Sequence, residues 1–410
     1  MPALASTAFR LYLAGAFIGS IGSWMQSTAQ GWLVLQLTNS PEALGVVSAI
    51  GQLPILLLSV PAGVIADQVD RRLVLVATQG FAAIVALVLA LLTTTGAVAF
   101  WHVALLAALA GVAVAVQTPA YQAIVSTLVD GGTVGSAVAL NSAQFNLSRI
   151  IGPAAAGAVI AAGGLYLAFW GNGLALVAVA VVFLSLPKGS PSAMARAQAS
   201  MWSNLLDGVR YVRGSRVVAA LVLLAGLPAL LLLNYLMLLP VFARDVLGIG
   251  AAGLGLLSAS IGVGALAGAL AMAVLRPSGG SGRALLGSLA IAGVAEAVFG
   301  WSRVVPLSMA ALAVLGACQV GYYATTNTLV QVLVPPRLRG RVMSLYILTS
   351  TGLIPLGNLA AGAVAERTSP ALAVGGGAVL TTLGALAVAA LVPELRRLGT
   401  GGGAAVLGAR

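Results

Sequence analysis

Charge is scarce in this chain. Asp, Glu, Lys and Arg make up 7% of its 410 residues, against roughly 25% in a soluble domain. Most of its surface therefore cannot face water. Histidine and cysteine occur once each, as His102 and Cys318. No disulfide can form within the chain, the redox compartment stays unread, and no His/Cys cluster is on offer to a metal. No phosphate-cradling glycine loop is present, since Gly401–Gly403 is a low-complexity tail. General acid–base chemistry needs polar groups of matched acidity held close together, and no such set stands out. The expectation is a protein that is not an enzyme and uses no cofactor or metal. A cleavable leader is not expected either, because only Arg10 precedes a polar-striped helix and no cleavage site follows.

What the chain has in quantity is apolar length. It is 60% hydrophobic, with a mean hydropathy of +1.06. A spanning helix needs about 20 apolar residues, and twelve such runs are read near 11–37, 43–65, 73–95, 101–127, 137–162, 165–186, 217–242, 248–275, 284–303, 305–333, 342–365 and 371–392. The 51 glycines suit helices that pack through small residues, because lipid supplies no hydrophobic drive for association. The expected fold class is all-α and polytopic: twelve transmembrane helices in two pseudo-symmetric six-helix bundles. The domains are 1–186 (first bundle), 187–216 (linker), 217–395 (second bundle) and 396–410 (tail). In the linker, Trp202, Leu205, Leu206, Val209 and Val212 recur at helical spacing beside Arg210, Arg213 and Arg216. That pattern reads as an amphipathic helix lying on the membrane surface.

The net charge of +11 would suggest nucleic acid in a soluble protein. Here all but four of the 20 Lys and Arg fall in the N-terminus, the even-numbered connections and the tail. The others are Arg149, inside a span, and Arg244, Arg303 and Arg367. The positive-inside bias then puts both termini in the cytoplasm. The lipid bilayer, not nucleic acid, accounts for the charge.

The chain also repeats. Residues 128–159 align without a gap onto 333–364, with identities that include Leu128/Leu333, Gly135/Gly340, Leu140/Leu345, Gly152/Gly357 and Gly157/Gly362. Leu44-Gly45-x-x-Ser48-Ala49 recurs as Leu254-Gly255-x-x-Ser258-Ala259. Two in-order matches in halves of six spans each argue for duplication, and parallel six-span repeats are one known transporter plan.

Polar side chains inside the spans are mostly uncharged. Ser23, Gln26, Ser27 and Gln30 share one helix face, and Gln319, Tyr322, Tyr323 and Thr326 repeat that spacing. The repeat offset pairs Gln117 with Tyr322, Tyr121 with Thr326 and Gln122 with Asn327. Asn234 and Tyr235 add to the seventh span, and Asn141 opens a polar stretch in the fifth. In hydrocarbon an unpaired amide costs several kcal/mol, so these groups either bind a polar-aromatic substrate or hydrogen-bond between helices. Two charges lie clearly within spans. Arg149 sits roughly 20 Å from the outer end of its helix, where it either snorkels or lines a cavity. Glu296, deep in the ninth span, is either a hydrogen-bonded acid or a proton carrier.

Between the second and third runs stands Gly63-Val-Ile-Ala-Asp67-Gln-Val-Asp70-Arg71-Arg72, four charges in six residues. Here the chain resembles the major facilitator superfamily, whose loop at this place follows G-x-x-x-D-R-x-x-R-[RK]. Gln68 stands where that family usually has arginine. The resemblance implies a cytoplasmic gate made by Gly63, Asp67, Arg71 and Arg72, and a central cavity lined by spans one, four, seven and ten. Ala139-Leu-Asn141-Ser-x-x-Phe145-Asn146-x-x-Arg149-Ile-x-Gly152-Pro153 is similar to a narrower branch, the enterobactin-exporter and macrolide-efflux-like transporters. Pro336-x-x-x-Gly340-Arg341-Val-Met-Ser344-Leu and Pro240-x-x-x-Arg244-Asp245-Val-Leu-Gly248 fit the same branch. Its Gly152-Pro153-x-x-x-Gly157 element resembles a fifth-helix antiporter motif, which implies export, with Gly152 and Pro153 in the moving parts.

The combined expectation is a monomeric secondary transporter of the bacterial cytoplasmic membrane. It would export a small drug- or siderophore-like molecule against protons. The candidate substrate contacts are Gln26, Gln30, Gln117, Tyr121, Asn141, Arg149, Asn234, Tyr235, Gln319, Tyr322 and Asn327, with Glu296 as the candidate for proton coupling. A metabolite uptake symporter and a transport-inactive receptor or scaffold are the alternatives.

Overall fold

Where the apolar runs end, the chain supplies its own stops. Ser6 accepts the Phe9 amide at 3.2 Å and starts α1 (Thr7–Thr38), and Asn39, in the left-handed region at φ 53°, ends it. Asn39 is suited to that role because its short polar side chain tolerates a conformation most residues avoid. Asp70, Ser215 and Ser369 cap later helices in the same way as Ser6, each accepting an amide two or three residues ahead. An N-cap of this kind contributes about 1 kcal/mol.

The computed structural model describes residues 2–187, 201–274 and 281–398, with all side chains except those of 59–61, 63–67, 201–205 and 273. After α1 come α2 (Pro41–Gln68), α3 (Arg71–Thr94), α4 (Phe100–Ile124), α5 (Val134–Gly163), α6 (Leu165–Leu184) and α7 (Met201–Gly214). They are followed by α8 (Arg216–Leu231), α9 (Tyr235–Val241), α10 (Gly250–Val274), α11 (Ser281–Trp301) and α12 (Val305–Leu333). The last are α13 (Pro336–Ser350), α14 (Ile354–Arg367), α15 (Pro370–Leu391) and α16 (Pro393–Arg397). Among the described residues there is no strand.

Eleven helical stretches are long and apolar enough to cross a membrane. The continuous helix α1 is not one of them. At 32 residues it has the length, but its stripe of Ser23, Gln26, Ser27 and Gln30 dilutes its apolar character. Two of the eleven stretches are broken. The seventh run divides into α8 and α9, the latter running on into a π-turn at Phe242–Val246. The eleventh divides into α13 and α14 around Thr351–Leu353, ahead of Pro355. Proline has no N–H to give the preceding turn, so Thr351 O accepts from Ile354 N at 3.2 Å instead.

The helices group into two compact units. The first holds α1 to α6 together with Leu239–Ala259, and the second holds α7, α8 and the start of α9, then Ser260 onward. The duplication read from sequence reappears as packing. In the first unit α1 lies against α5 and α6, α2 against α4, and α3 against α4 and α6. In the second unit the counterparts pair alike, with α8 against α13, α14 and α15, and α11 against α12 and α15.

Single glycines make the likeness specific. A side chain at Gly111 would strike the Gly51 carbonyl of α2, and one at Gly316 would strike the Ile261 carbonyl of α10. A side chain at Gly152 would meet Ile21 O and Trp24 of α1, and one at Gly357 would meet Ala229 O, Leu230 O and Asn234 beside α8. Each pair sits at the repeat offset. At these crossings backbone lies on backbone, which is how membrane helices gain van der Waals contact without a hydrophobic drive.

Candidate functional site

In the first unit the polar groups converge on α1. Gln26 accepts from the Asn172 amide of α6 at 2.6 Å. Gly22, one turn earlier on α1, leaves the room that Asn172 occupies. Tyr12 donates to Asn141 of α5 at 3.2 Å, and Gln144 donates to the same oxygen at 3.5 Å. Tyr121 pairs with Gln79 of α3 and packs its ring against Tyr12 and Phe183. Gln117, one helical turn away on α4, has a buried Oε1 with no partner among the described residues. Gln30 is half-buried on the face of α1 that carries Gln26. Asn141, Tyr121 and Gln26 thus spend part of their polarity on neighbouring helices. Gln117 keeps an acceptor free.

Arg149 lies on α5 one position after Ser148, whose hydroxyl donates to Gln144 O at 2.8 Å. Among the described residues the buried Nη2 of Arg149 has no hydrogen-bond partner, and Arg149 makes no ion pair. A guanidinium carries five donors in a fixed fork. A buried, unmatched donor on a cation is costly, so this group is poised for an acceptor.

In the second unit the polar groups gather at the two broken spans. Asn234 occupies the gap between α8 and α9 and is 4% exposed. Its amide donates to Leu230 O at 2.8 Å, while its Oδ1 has no partner among the described residues. Tyr235 is fully buried at the start of α9. Gly357 of α14 closes on Leu230 O and Asn234, so one break packs onto the helix beside the other. On α12, Gln319 is buried, and Tyr322 stacks on Tyr323 with ring centroids 4.7 Å apart. Tyr323 donates to Ser350 O at 3.3 Å, at the end of α13. Asn327 accepts from Gln331 at 2.5 Å on its own helix.

The expected gate is partly in view. The surroundings of Gly63 and the side chain of Asp67 lie outside what is described, although the backbone of both is helical in α2. The acid that caps α3 is Asp70, which accepts the Arg72 amide at 2.9 Å. Arg71 donates to Ala123 O, near the C-terminus of α4, at 3.4 Å. That end carries partial negative charge, so the placement is favourable. The Nε of Arg72 is buried with no partner among the described residues. Gly152 and Pro153 are both buried on α5. Gly157, one turn on, packs against Ala251, Ala252 and Gly255 at the start of α10, within the same unit. Glu296 is wholly buried, and neither carboxyl oxygen finds a partner among the described residues. It lies on the α11 face that also carries Gly293 and Gly300, which close on Ala378, Thr382, Ala371 and Gly375 of α15.

Several residues that matter to these networks are absent from the sequence-derived set. Asn172, Gln79 and Tyr12 bind the candidates Gln26, Tyr121 and Asn141 across helices. None of the three belongs to a polar stripe at helical spacing, so no pattern betrays it. Arg244 holds Asp245 at 2.6 and 2.9 Å, Asn39 Oδ1 at 2.6 Å and Leu35 O at 3.1 Å. It thereby caps the C-terminal end of α1. The adjacent charges Arg244-Asp245 in an otherwise neutral region were the available signal.

Comparison with known proteins places this architecture. The family model described as transmembrane secretion effector matches residues 1–400. The chain is 28% identical over 404 residues to the multidrug efflux pump Tap of Mycolicibacterium fortuitum, covering 95% of this chain and 96% of the pump. It is 35% identical over 153 residues to the staphyloferrin A transporter of Staphylococcus aureus, a match that spans 37% of this chain and only 38% of that protein. Among solved structures, a bacterial homologue of the human lysosomal transporter Spinster, in an inward-facing and unoccupied conformation, superposes with a TM-score of 0.73 at 15% identity. That match covers 96% of this chain and 97% of the other. Free of strands among its described residues and matched by the family model along nearly its whole length, this chain is a multi-pass membrane transporter belonging to the transmembrane secretion effector family of the major facilitator superfamily.

Proposed function

We propose that this transporter exports a small organic molecule across the bacterial cytoplasmic membrane by alternating access, driven by proton antiport. The observation that carries the reading is the seam that recurs in both units. Gly152 closes on Ile21 O and Trp24 of α1, and Gly357 closes on Leu230 O of α8 and on Asn234. A seam of bare backbone lets helices shift without breaking side-chain interlocks, and nearby amides and phenols suit a polar aromatic ligand, with Arg149 available to an acceptor or anionic group on it. The likeness to a multidrug efflux pump along the full chain supports export.

In this reading α1 is the twelfth span, and both termini are cytoplasmic. Substrate contacts fall to Gln26, Gln30, Gln117, Tyr121, Asn141 and Arg149 in the first unit. In the second they fall to Asn234, Tyr235, Gln319, Tyr322 and Asn327. Gly63, Asp67, Arg71 and Arg72 form the gate, and Gly152 and Pro153 the moving seam. The protein works as a monomer, binds no nucleic acid and catalyses no bond-making step. Glu296 is the candidate proton carrier, as the one acid clearly within a span.

The test is proton movement in everted vesicles under an imposed gradient, with a panel of cytotoxic aromatic compounds. Export predicts that at least one compound dissipates the gradient, and that Glu296→Gln removes the effect while expression stays normal. A gradient that no compound moves, alongside unchanged resistance in an efflux-deficient host, would sink export. Proton movement of the opposite sign would assign uptake instead.

A further inference from the structure

Outside the candidate substrate groups, the second unit holds a cavity of about 630 Å³ where α7 lies on the beginning of α13. Asp207, Arg210, Tyr211, Arg337 and Arg341 line it, with Ser215 at its edge. Gly208 allows the approach, because a side chain there would press on Arg341 O. The charges do not balance. Asp207 is the sole acid in the lining, and it already receives two arginines, Arg341 at 2.6 Å and Arg210 at 3.1 Å. The side chain of Arg337, on the exposed side of the lining, has no hydrogen bond or ion pair among the described residues.

The backbone adds to this excess. Arg337 and Arg341 stand on the opening turns of α13, the positive end of its dipole, where cations are unfavourable and anions favoured. No acid lies in that first turn, and Pro335 brings no side-chain cap. At α3 the same placement of two arginines is offset by the capping carboxylate of Asp70. At α13 the carboxylate in the lining is Asp207 of α7, which takes up Arg341 and leaves Arg337 without one.

We infer that this cavity binds a phosphate-bearing anion, held by Arg337 and Arg341 with Arg210 at its rim. Arginine forks match phosphate oxygens two at a time, and the helix N-terminus contributes as it does at other phosphate sites. The phosphate comes either from a phospholipid headgroup or from a free solute. The setting favours the headgroup, since Leu206, next to Asp207, is 60% exposed on α7 and the bundle around it is apolar. Basic pockets between spanning helices are a known way of holding anionic lipid heads. Nothing in the inference depends on transport, so its failure and that of the export reading are separable.

The experiment is thermal unfolding of the purified full chain in phosphate-free detergent. One arm titrates phosphatidylglycerol, with phosphatidylcholine as its comparison, and the other titrates inorganic phosphate. The expected result is a saturable rise in the midpoint with phosphatidylglycerol and a smaller one with phosphatidylcholine. Arg337→Gln should weaken the apparent affinity about tenfold, as loss of one charge-assisted pair does, and Arg337→Lys less. Arg339→Gln, which removes the same charge from an exposed position outside the cavity, should change little. A rise with inorganic phosphate alone, lost in Arg337→Gln, supports the site and assigns it to a free anion. No rise in either arm overturns the inference, as does an equal response to both lipids or an equal loss in the Arg337 and Arg339 variants.

Discussion

At Arg149 a guanidinium sits inside α5 with a terminal nitrogen buried and nothing among the described residues to receive it. An arginine at mid-helix costs about 2.5–3.5 kcal/mol on insertion scales, less when it snorkels. Snorkelling needs only a long stem and a cationic head, which lysine also has. A planar fork aimed at carbonyls or at an anionic group of the substrate does not tolerate that exchange. Arg149→Lys is therefore expected to insert and express normally yet lose transport by about tenfold or more, equivalent to about 1.4 kcal/mol or more, with Arg149→Gln no better. Full transport by the lysine variant in a vesicle uptake assay would return the residue to snorkelling. The sequence made Arg149 conspicuous because charge inside a run is rare. It could not show that Gln26 answers to Asn172 or that Tyr121 answers to Gln79. Those pairs join residues 146 and 42 positions apart on different helices, and a lone amide in an apolar run has no pattern.

Among elements, the legible part was the apolar run, and the illegible part was the break within it. The seventh and eleventh runs read as single spans, and each is two helices. Proline marks both places, Pro228 before the first gap and Pro355 after the second. Yet Pro119 and Pro153 sit inside α4 and α5 without dividing them. What decides is whether neighbours satisfy the freed groups, and neighbours are a tertiary fact. Glycine has the same ambiguity. Gly111 and Gly316 are pressed against carbonyls, whereas Gly80 and Gly287 have nothing within 4 Å of where a side chain would begin. Gly111→Leu and Gly316→Leu should each lower the thermal midpoint and yield of the purified protein, with an overpacking cost of about 1–3 kcal/mol or more. Gly80→Ala and Gly287→Ala should be neutral or stabilising by up to about 1 kcal/mol, since alanine is the better helix former. A matched response of all four in a melting series would show that the crossings are looser than the geometry makes them.

For the molecule as a whole, duplication and membrane class were plain from composition, offset identities and run length. Orientation rests on arginine bias alone, so it needs a chemical answer. Thr95, between α3 and α4, and Ser126, between α4 and α5, are both exposed and lie on opposite sides in the twelve-span reading. In a Cys318→Ala background, Thr95→Cys should react with an impermeant maleimide from outside intact cells, and Ser126→Cys only after the inner face is opened. Labelling of both from one side would break the assignment. The first run shows why counting stayed open. α1 is polar along the face that carries Gln26, which meets Asn172 of α6, so a helix that supplies two candidate contacts, Gln26 and Gln30, is also the one span that composition does not mark.

The crossings at Gly111 and Gly316, and at Gly152 and Gly357, also bear on how such a chain can change over time. Register there is recorded by positions with no side chain, and the surfaces between them are free to drift as long as they stay greasy. A saturation library scored for folded protein should thus return a sparse map. A few intolerant points, spaced by the repeat offset, would stand in long stretches where almost any apolar letter is accepted. Ligand preference could then be rewritten around Gln117 or Asn234 without renegotiating the frame, because the two are stored in different residues.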